Sequence, residues 1–377
     1  MQKELPTATG AAPRDTALTR LRFFLIGWVI LYHLDLPLQV GAALPWLRPL
    51  LGHGYLGVDG FFLLSGYALW LGYGARPPVG WAGAKGFLRR RFAKIWPLHA
   101  LALLALAGLV AAASLAGLDI RSPERFGLRE FLLQLTLTNA WETTRVHAWN
   151  YPSWALSVEW AGYLAFPLVM AGLVRLPRPA VWLLPLAGMA GLWVLSEATP
   201  DYGLNRTLHL GLVRFGLEFA VGLGLGRLAT EGRLPRPLLW ALLPALPLGL
   251  WLYLDALAVL GLAVLVPLLH RQAAPGRPVA AAVPGAAPHR PDLLLRLGEA
   301  SFGIYLCWVF IEAALVLVLR LADPGLAGRI GLMLAGFAGS LVAGWLAWRF
   351  IEVPAHAWLL HRGRAGAAAA RPLKASP

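Results

Sequence analysis

Residues Arg22 to Asp35 read Arg-Phe-Phe-Leu-Ile-Gly-Trp-Val-Ile-Leu-Tyr-His-Leu-Asp, and this stretch decides the fold. The apolar run from Arg22 to Val40 would reach roughly 28 Å as a helix at about 1.5 Å per residue. That is close to the ~30 Å hydrocarbon core of a bilayer. The rest of the chain is of the same kind. Of 377 residues, 58% are hydrophobic and only 14% are charged, with a mean hydropathy of +0.62. Soluble domains carry about 25% charged residues, so the composition excludes a soluble globular protein, and equally a disordered one. The lone Cys307 excludes an internal disulfide and a Cys-rich zinc site. An all-α, polytopic membrane helix bundle remains.

Ten apolar stretches are expected to cross the bilayer: 22–40, 55–73, 96–118, 154–174, 180–196, 207–226, 237–252, 254–270, 301–320 and 328–350. The seventh and eighth meet near Leu254-Asp255 and read either as a tight helical hairpin or as one element. Residues 129–140 are too short to span and read as an interfacial or re-entrant helix. With spans alternating from a cytoplasmic N-terminus, 23 of the 33 Lys and Arg fall in cytoplasmic segments, 8 outside and 2 within spans. This positive-inside bias places both termini in the cytoplasm; the bundle is expected in the cytoplasmic (inner) membrane. The same dispersal argues against a nucleic-acid partner for the net charge of +14, because no single basic patch forms. The partner is the lipid bilayer. The first run holds His33 and Asp35 and is expected to be a retained helix, not a cleaved signal. The organisation is a cytoplasmic segment over 1–20, a transmembrane domain over 21–362 and a flexible tail over 363–377, with a flexible Pro/Ala/Gly-rich loop at 272–292.

Charges inside hydrocarbon cost about 2.5–3.5 kcal/mol each on insertion scales, so they mark candidate functional positions. The spans or their edges contain Arg22, His33, Asp35, Asp59, Glu159, Arg214, Glu218, Glu312, Arg349 and Glu352. Arg22 and His33 are eleven residues apart, about 1100° of helix, within ~20° of three full turns. They share one face, about 16 Å apart along the axis. That spacing suits an anionic ligand held at the cytoplasmic edge while its reactive end reaches a buried imidazole. A buried histidine is also a packed core residue in many helices, and it is what a proton-coupled transporter uses.

The segment 74–95 carries Arg89, Arg90, Arg91 and Lys94 just before Ile95-Trp96-Pro97. Such a cluster fixes topology in any membrane protein, and it can also grip phosphates bidentately. The third cluster, Trp149-Asn150-Tyr151-Pro152-Ser153-Trp154-Ala155-Leu156-Ser157-Val158-Glu159, enters the fourth span from outside. Its aromatic residues are ordinary at an interface, yet they also suit stacking on sugar rings, and Glu159 lies a turn inside. No Gly-rich phosphate loop, His-Glu-x-x-His pair or serine nucleophile elbow is present, and no metal site is expected.

Taken in order, these segments resemble the acyltransferase-3 family of integral membrane acyltransferases. Arg22-x10-His33 matches its first-helix signature, and Gly57-Val58-Asp59-Gly60-Phe61-Phe62-Leu63-Leu64-Ser65-Gly66 looks like its second-helix motif. Phe87 to Arg91 with Ile95-Trp96-Pro97 resembles its basic motif. Trp154-Ala155-Leu156-Ser157-Val158-Glu159, with Tyr163 and Pro167, resembles its fourth. Arg214, Glu218 and Gly222, then Ser301-Phe302-Gly303-Ile304-Tyr305-Leu306, and finally Glu352-x-Pro354 complete the set. Three departures stand out: Lys94 for an arginine, Ala155 for a serine, and Cys307-Trp308 where Trp-His is common.

The resemblance implies transfer of an acyl group, often acetyl, from cytoplasmic acyl-CoA to a hydroxyl of a carbohydrate or glycoconjugate. Arg22, Arg89, Arg90, Arg91 and Lys94 would then hold the nucleotide phosphates. His33 would act as general base or accept the acyl group itself. Asp59 or Glu159 would orient the imidazole, and Trp154, Ser157, Tyr163 and Arg214 would contact substrate. A proton-coupled transporter or flippase built on His33 and the buried carboxylates is the alternative.

Overall fold

The computed structural model describes residues 15–117, 120, 122–198, 203–270 and 292–360. The expected flexible tail, all of the 272–292 loop but Asp292, and most of the N-terminal segment lie outside these residues. Every regular element among the described residues is helical. In chain order the main helices are α1 (Thr16–Leu38), α2 (Leu56–Tyr73), α3 (Gly80–Leu115), α4 (Leu128–Leu135), α5 (Ser153–Leu173), α6 (Leu183–Glu197), α7 (Gly211–Thr230), α8 (Arg236–Leu242), α9 (Ala245–Leu252), α10 (Asp255–Leu269), α11 (Leu293–Glu299), α12 (Ser301–Leu321) and α13 (Leu326–Ala347).

Each of the ten apolar stretches is mainly helical. Six helical segments are long and apolar enough to cross a membrane: Thr16–Leu38, Gly80–Leu115, Ser153–Leu173, Arg178–Glu197, Ser301–Leu321 and Leu326–Leu360. The chain is therefore a helical membrane protein. Near Leu254 the alternative is settled in favour of the hairpin. Tyr253 adopts a left-handed conformation (φ 59°) between α9 and α10, and a methyl on Gly249 would meet the backbone of Ala258 at 2.3 Å.

The helices begin and pack for local reasons. Asp15 caps α1, its Oδ1 accepting from the amides of Ala17 (2.9 Å) and Leu18 (3.2 Å). This satisfies donors that have no partner within the helix. At the centre, α2 and α7 approach until Gly66 and Gly222 touch the opposing backbone. A Cβ on Gly222 would sit 2.2 Å from the carbonyl oxygen of Leu63, and one on Gly66 2.3 Å from that of Phe219. Small residues at such crossings let helices pack without a hydrophobic driving force. The contact sets Asp59 of α2 against Arg214 of α7.

The basic segment departs from expectation. Its charge places it in a loop on sequence grounds, but α3 is one helix from Gly80, about 54 Å long at 1.5 Å per residue. The reason lies in its spacing: Phe87, Arg91, Lys94 and Leu98 recur at helical intervals and share one inward face. Phe87 and Leu98 are buried there, while Arg89 and Arg90 point outward and are exposed.

The short α4 agrees with the non-spanning helix expected over 129–140. The indole of Trp96 on α3 donates to the Leu135 carbonyl (3.1 Å), His99 donates to that of Gln134 (2.8 Å), and the Gln134 amide donates to that of Ala148 (2.5 Å). These bonds fix the loop 136–152. Glu142 then ties that loop to the start of α7, accepting from the Leu210 amide (2.6 Å) and pairing with His209 (2.8 Å). The hydrogen bond from His209, the largest effect, outweighs burial and, with a lesser contribution from that of Leu210, holds the Glu142 carboxyl below its usual range. A depressed carboxyl contributes stability that is present above its unfolded value and is lost as pH falls through the folded one. Wild-type thermal stability in detergent should therefore fall more steeply below pH about 4 than that of Glu142→Gln. Parallel curves would show that the contact contributes nothing.

Candidate active site

Two chambers lie back to back inside the bundle. The first, about 230 Å³, is lined by Arg22 of α1, Ser65 of α2, Arg91 and Lys94 of α3, Glu159 and Tyr163 of α5, and Glu299, Ser301 and Phe302 around the start of α12. The second, about 280 Å³, is lined by Tyr32 and His33 of α1, Tyr55, Tyr151, Trp154, Arg214, Trp308 and the loop residues Arg125, His147, Asn205 and Thr207. Val58 and Tyr305 line both. Arg22 and His33 thus face the interior from one helix, as their spacing requires, but open into different chambers.

In the second chamber the Val29 carbonyl, one turn back, lies 2.8 Å from His33 Nδ1. A carbonyl oxygen only accepts, so Nδ1 carries the proton and the neutral ring keeps its lone pair on Nε2. Nε2 has no hydrogen-bond partner among the described residues. Trp308, fully buried, packs with its ring centroid 4.3 Å from that of the imidazole, and Tyr151 stands 6.1 Å away with its hydroxyl donating to Glu312 (2.9 Å). Among the described residues no carboxylate lines this chamber. The expected orientation of His33 by Asp59 or Glu159 is not what the structure shows, because both carboxylates are engaged elsewhere. Asp59 accepts from Arg214 through both oxygens, with the Nε bond at 3.1 Å. Glu159 accepts from Ser65 (2.7 Å) and Tyr163 (2.6 Å) in the first chamber.

Arg214, Asp59 and Glu218 form a buried charge cluster, each 0% exposed. Glu218 Oε1 lies 3.5 Å from Arg214 Nε, and the guanidinium stacks 5.5 Å over Trp154. A bidentate pair with an aromatic floor suits arginine, whose planar fork is pre-organised for both.

In the first chamber Arg91 is caged by the rings of Phe87 and Tyr163, both at 5.4 Å, and Tyr73 at 5.8 Å. Lys94 pairs with Glu352 in the π-helical turn Trp348–Glu352 that follows α13, which joins the basic motif to the terminal one. Of the expected phosphate ligands, Arg22, Arg91 and Lys94 reach this chamber. Arg90 is held at Tyr73 (3.4 Å) and Arg89 is exposed. Tyr163 belongs here, whereas Trp154 and Arg214 face the His33 chamber. Ser157 lines neither. It is fully buried, its hydroxyl donating to the Leu137 carbonyl (2.9 Å) and accepting from the Ala140 amide (3.0 Å). It ties the loop to α5.

Sequence reasoning missed the loop residues Arg125, His147, Asn205 and Thr207, for which no periodicity or motif gives a signal, and passed over Trp308 as a departure. Among the described residues no group of His, Cys, Asp or Glu is arranged to hold a metal ion.

A family profile described as an acyltransferase domain, that of the acyltransferase-3 family, matches residues 15–349. The chain belongs to the acyltransferase-3 family. This acyltransferase is 31% identical to acyltransferase MdmB of Streptomyces mycarofaciens over 90% of its own length and 91% of the relative's. It is 30% identical to the exopolysaccharide production protein ExoZ of Rhizobium meliloti (strain 1021), over 83% and 91%. No solved structure matches it. Family membership decides against the transporter alternative, which the buried carboxylates alone left open.

Proposed function

We infer that this acyltransferase moves an acyl group, acetyl by family preference, from cytoplasmic acyl-CoA to a hydroxyl of a carbohydrate or glycoconjugate. Its ten spans lie in the cytoplasmic membrane, with both termini cytoplasmic. The observation that carries the function is the His33 ring, with Nδ1 engaged and Nε2 unpartnered, lying one partition away from a chamber walled by Arg22, Arg91 and Lys94. The donor's pyrophosphate meets Arg22 and Arg91, with Arg89 and Arg90 on the exposed face towards its outlying phosphate. The Lys94 charge is balanced by Glu352, so Lys94 contributes less. The pantetheine arm runs through the first chamber towards His33. The acceptor enters the second chamber from the opposite face, among aromatic rings and hydrogen-bonding loop side chains of the kind that bind sugars. The name of the ExoZ relative supports a carbohydrate acceptor.

Nε2 of His33 takes the acceptor hydroxyl proton as the oxygen attacks the thioester carbon. The C–S bond breaks, and the departing thiolate recovers that proton from Nε2. The Val29 carbonyl stabilises the imidazolium formed in between. Attack by Nε2 itself, giving an acyl-histidine, would use the same lone pair.

Arg91→Ala should raise the KM for acetyl-CoA roughly tenfold, the loss of a charge-assisted bond of about 1.5 kcal/mol, with kcat nearly unchanged. Arg89→Ala should raise it by no more than about twofold, because an exposed charge facing the outlying phosphate is screened by solvent, again with kcat nearly unchanged. Initial rates in membranes test this, and equal effects of the two substitutions would return the cluster to topology alone.

A further inference from the structure

We propose that Val58 and Tyr305 form a closed partition between the two chambers, and that an acceptor opens it by displacing Tyr305. The inference rests on the reading above, in which acyl-CoA occupies the first chamber and His33 acts from the second. Among the described residues only Val58 and Tyr305 line both spaces, and both are nearly buried, 5% and 9% exposed. Beside them Phe62 on the donor side meets Trp154 on the His33 side edge to face, with ring centroids 5.9 Å apart. A thioester in the first chamber is therefore separated from Nε2 of His33 by one aliphatic and one phenolic side chain.

The phenol is latched. Its hydroxyl donates to the carbonyl of Pro152 (2.9 Å), inside the protein. Pro152 itself lines the His33 chamber, so a molecule filling that chamber presses on both halves of the latch. Hydroxyl groups on a carbohydrate can replace the phenol at the Pro152 carbonyl, which makes swinging the ring aside nearly neutral in hydrogen bonds. Water alone offers no such bulk to hold the ring away. The device guards against a specific loss. With the partition open and no acceptor present, water takes the place of the alcohol. Its oxygen attacks the thioester carbon, Nε2 of His33 takes its proton, the C–S bond breaks, and the thiolate leaves with that proton as free carboxylic acid and CoA are released.

The test uses the full-length protein in lipid nanodiscs with acetyl-CoA and no acceptor, reading binding by calorimetry and CoA release with a thiol reagent. Tyr305→Ala should release CoA at least about tenfold faster than wild type. Tyr305→Phe, which loses only the latch, should fall between them, since one buried hydrogen bond corresponds to a factor of roughly five. The increase should vanish when His33→Ala is added. Val58→Phe, which thickens the wall, should release less CoA than wild type at saturating acetyl-CoA. CoA release at the wild-type rate by Tyr305→Phe and Val58→Phe, with acetyl-CoA still bound, overturns the partition. If Tyr305→Ala does not fold, those two variants carry the test. Failure of wild type to bind acetyl-CoA, or release that survives His33→Ala, overturns the assignment of the chambers instead.

Discussion

Replacing His33 by alanine is expected to lower acyl transfer by at least about a hundredfold, the lower end of what a general base contributes, while acetyl-CoA still binds. The prediction follows from the ring's division of labour, with Nδ1 committed to Val29 and Nε2 unpartnered. Asparagine refines it. Its amide can keep a donor near the Val29 carbonyl but offers no basic nitrogen, so His33→Asn should be as inactive as alanine and no less stable than wild type by more than about 1 kcal/mol. The assay is transfer of label from acyl-labelled acetyl-CoA in native membranes, where the acceptor is present. Turnover in His33→Asn close to wild type would show that the imidazole only packs against Trp308.

The second large effect is on stability. Arg214 stands between two carboxylates in a fully buried cluster. Breaking a buried ion pair by removing one partner costs about 3–5 kcal/mol, because the remaining charge is left uncompensated. Arg214→Met should therefore lower Tm in detergent by roughly 5 °C or prevent recovery of folded protein. Adding Asp59→Asn and Glu218→Gln should restore part of the loss, since the methionine then sits among neutral groups. Recovery in the triple variant separates a charge imbalance from a mere packing defect over Trp154. A Tm for Arg214→Met equal to wild type would mean that the cluster is not buried as described.

Much of this organisation is legible in the sequence. Apolar length alone marks the helices. Eleven-residue spacing on α1 places Arg22 and His33 on one interior face, because helical periodicity does not depend on tertiary context. Arg91 could have been separated from Arg89 and Arg90 in the same way, by its spacing from Phe87 and Lys94. What the sequence does not carry is which polar groups pair across helices. Asp59, Glu159 and Ser157 all have the chemistry to serve a reaction. Whether they do depends on whether Arg214, Tyr163 or the Leu137 carbonyl reaches them first, and that is set by helix crossings such as the one at Gly66 and Gly222. The loop side chains around His33 are invisible in the sequence for a related reason: contacts from Gln134 and Glu142, far apart in sequence from their partners, hold those loops in place.

The most direct test of the central claim is the position that a non-hydrolysable acyl-CoA analogue takes when bound to the protein in lipid nanodiscs, read by cryo-electron microscopy. The expected result has the pyrophosphate beside Arg22 and Arg91 and the arm along the first chamber. The acyl group then ends against Val58 and Tyr305, with the His33 imidazole on the far side of that pair. An analogue seated elsewhere, with the first chamber empty, would contradict it.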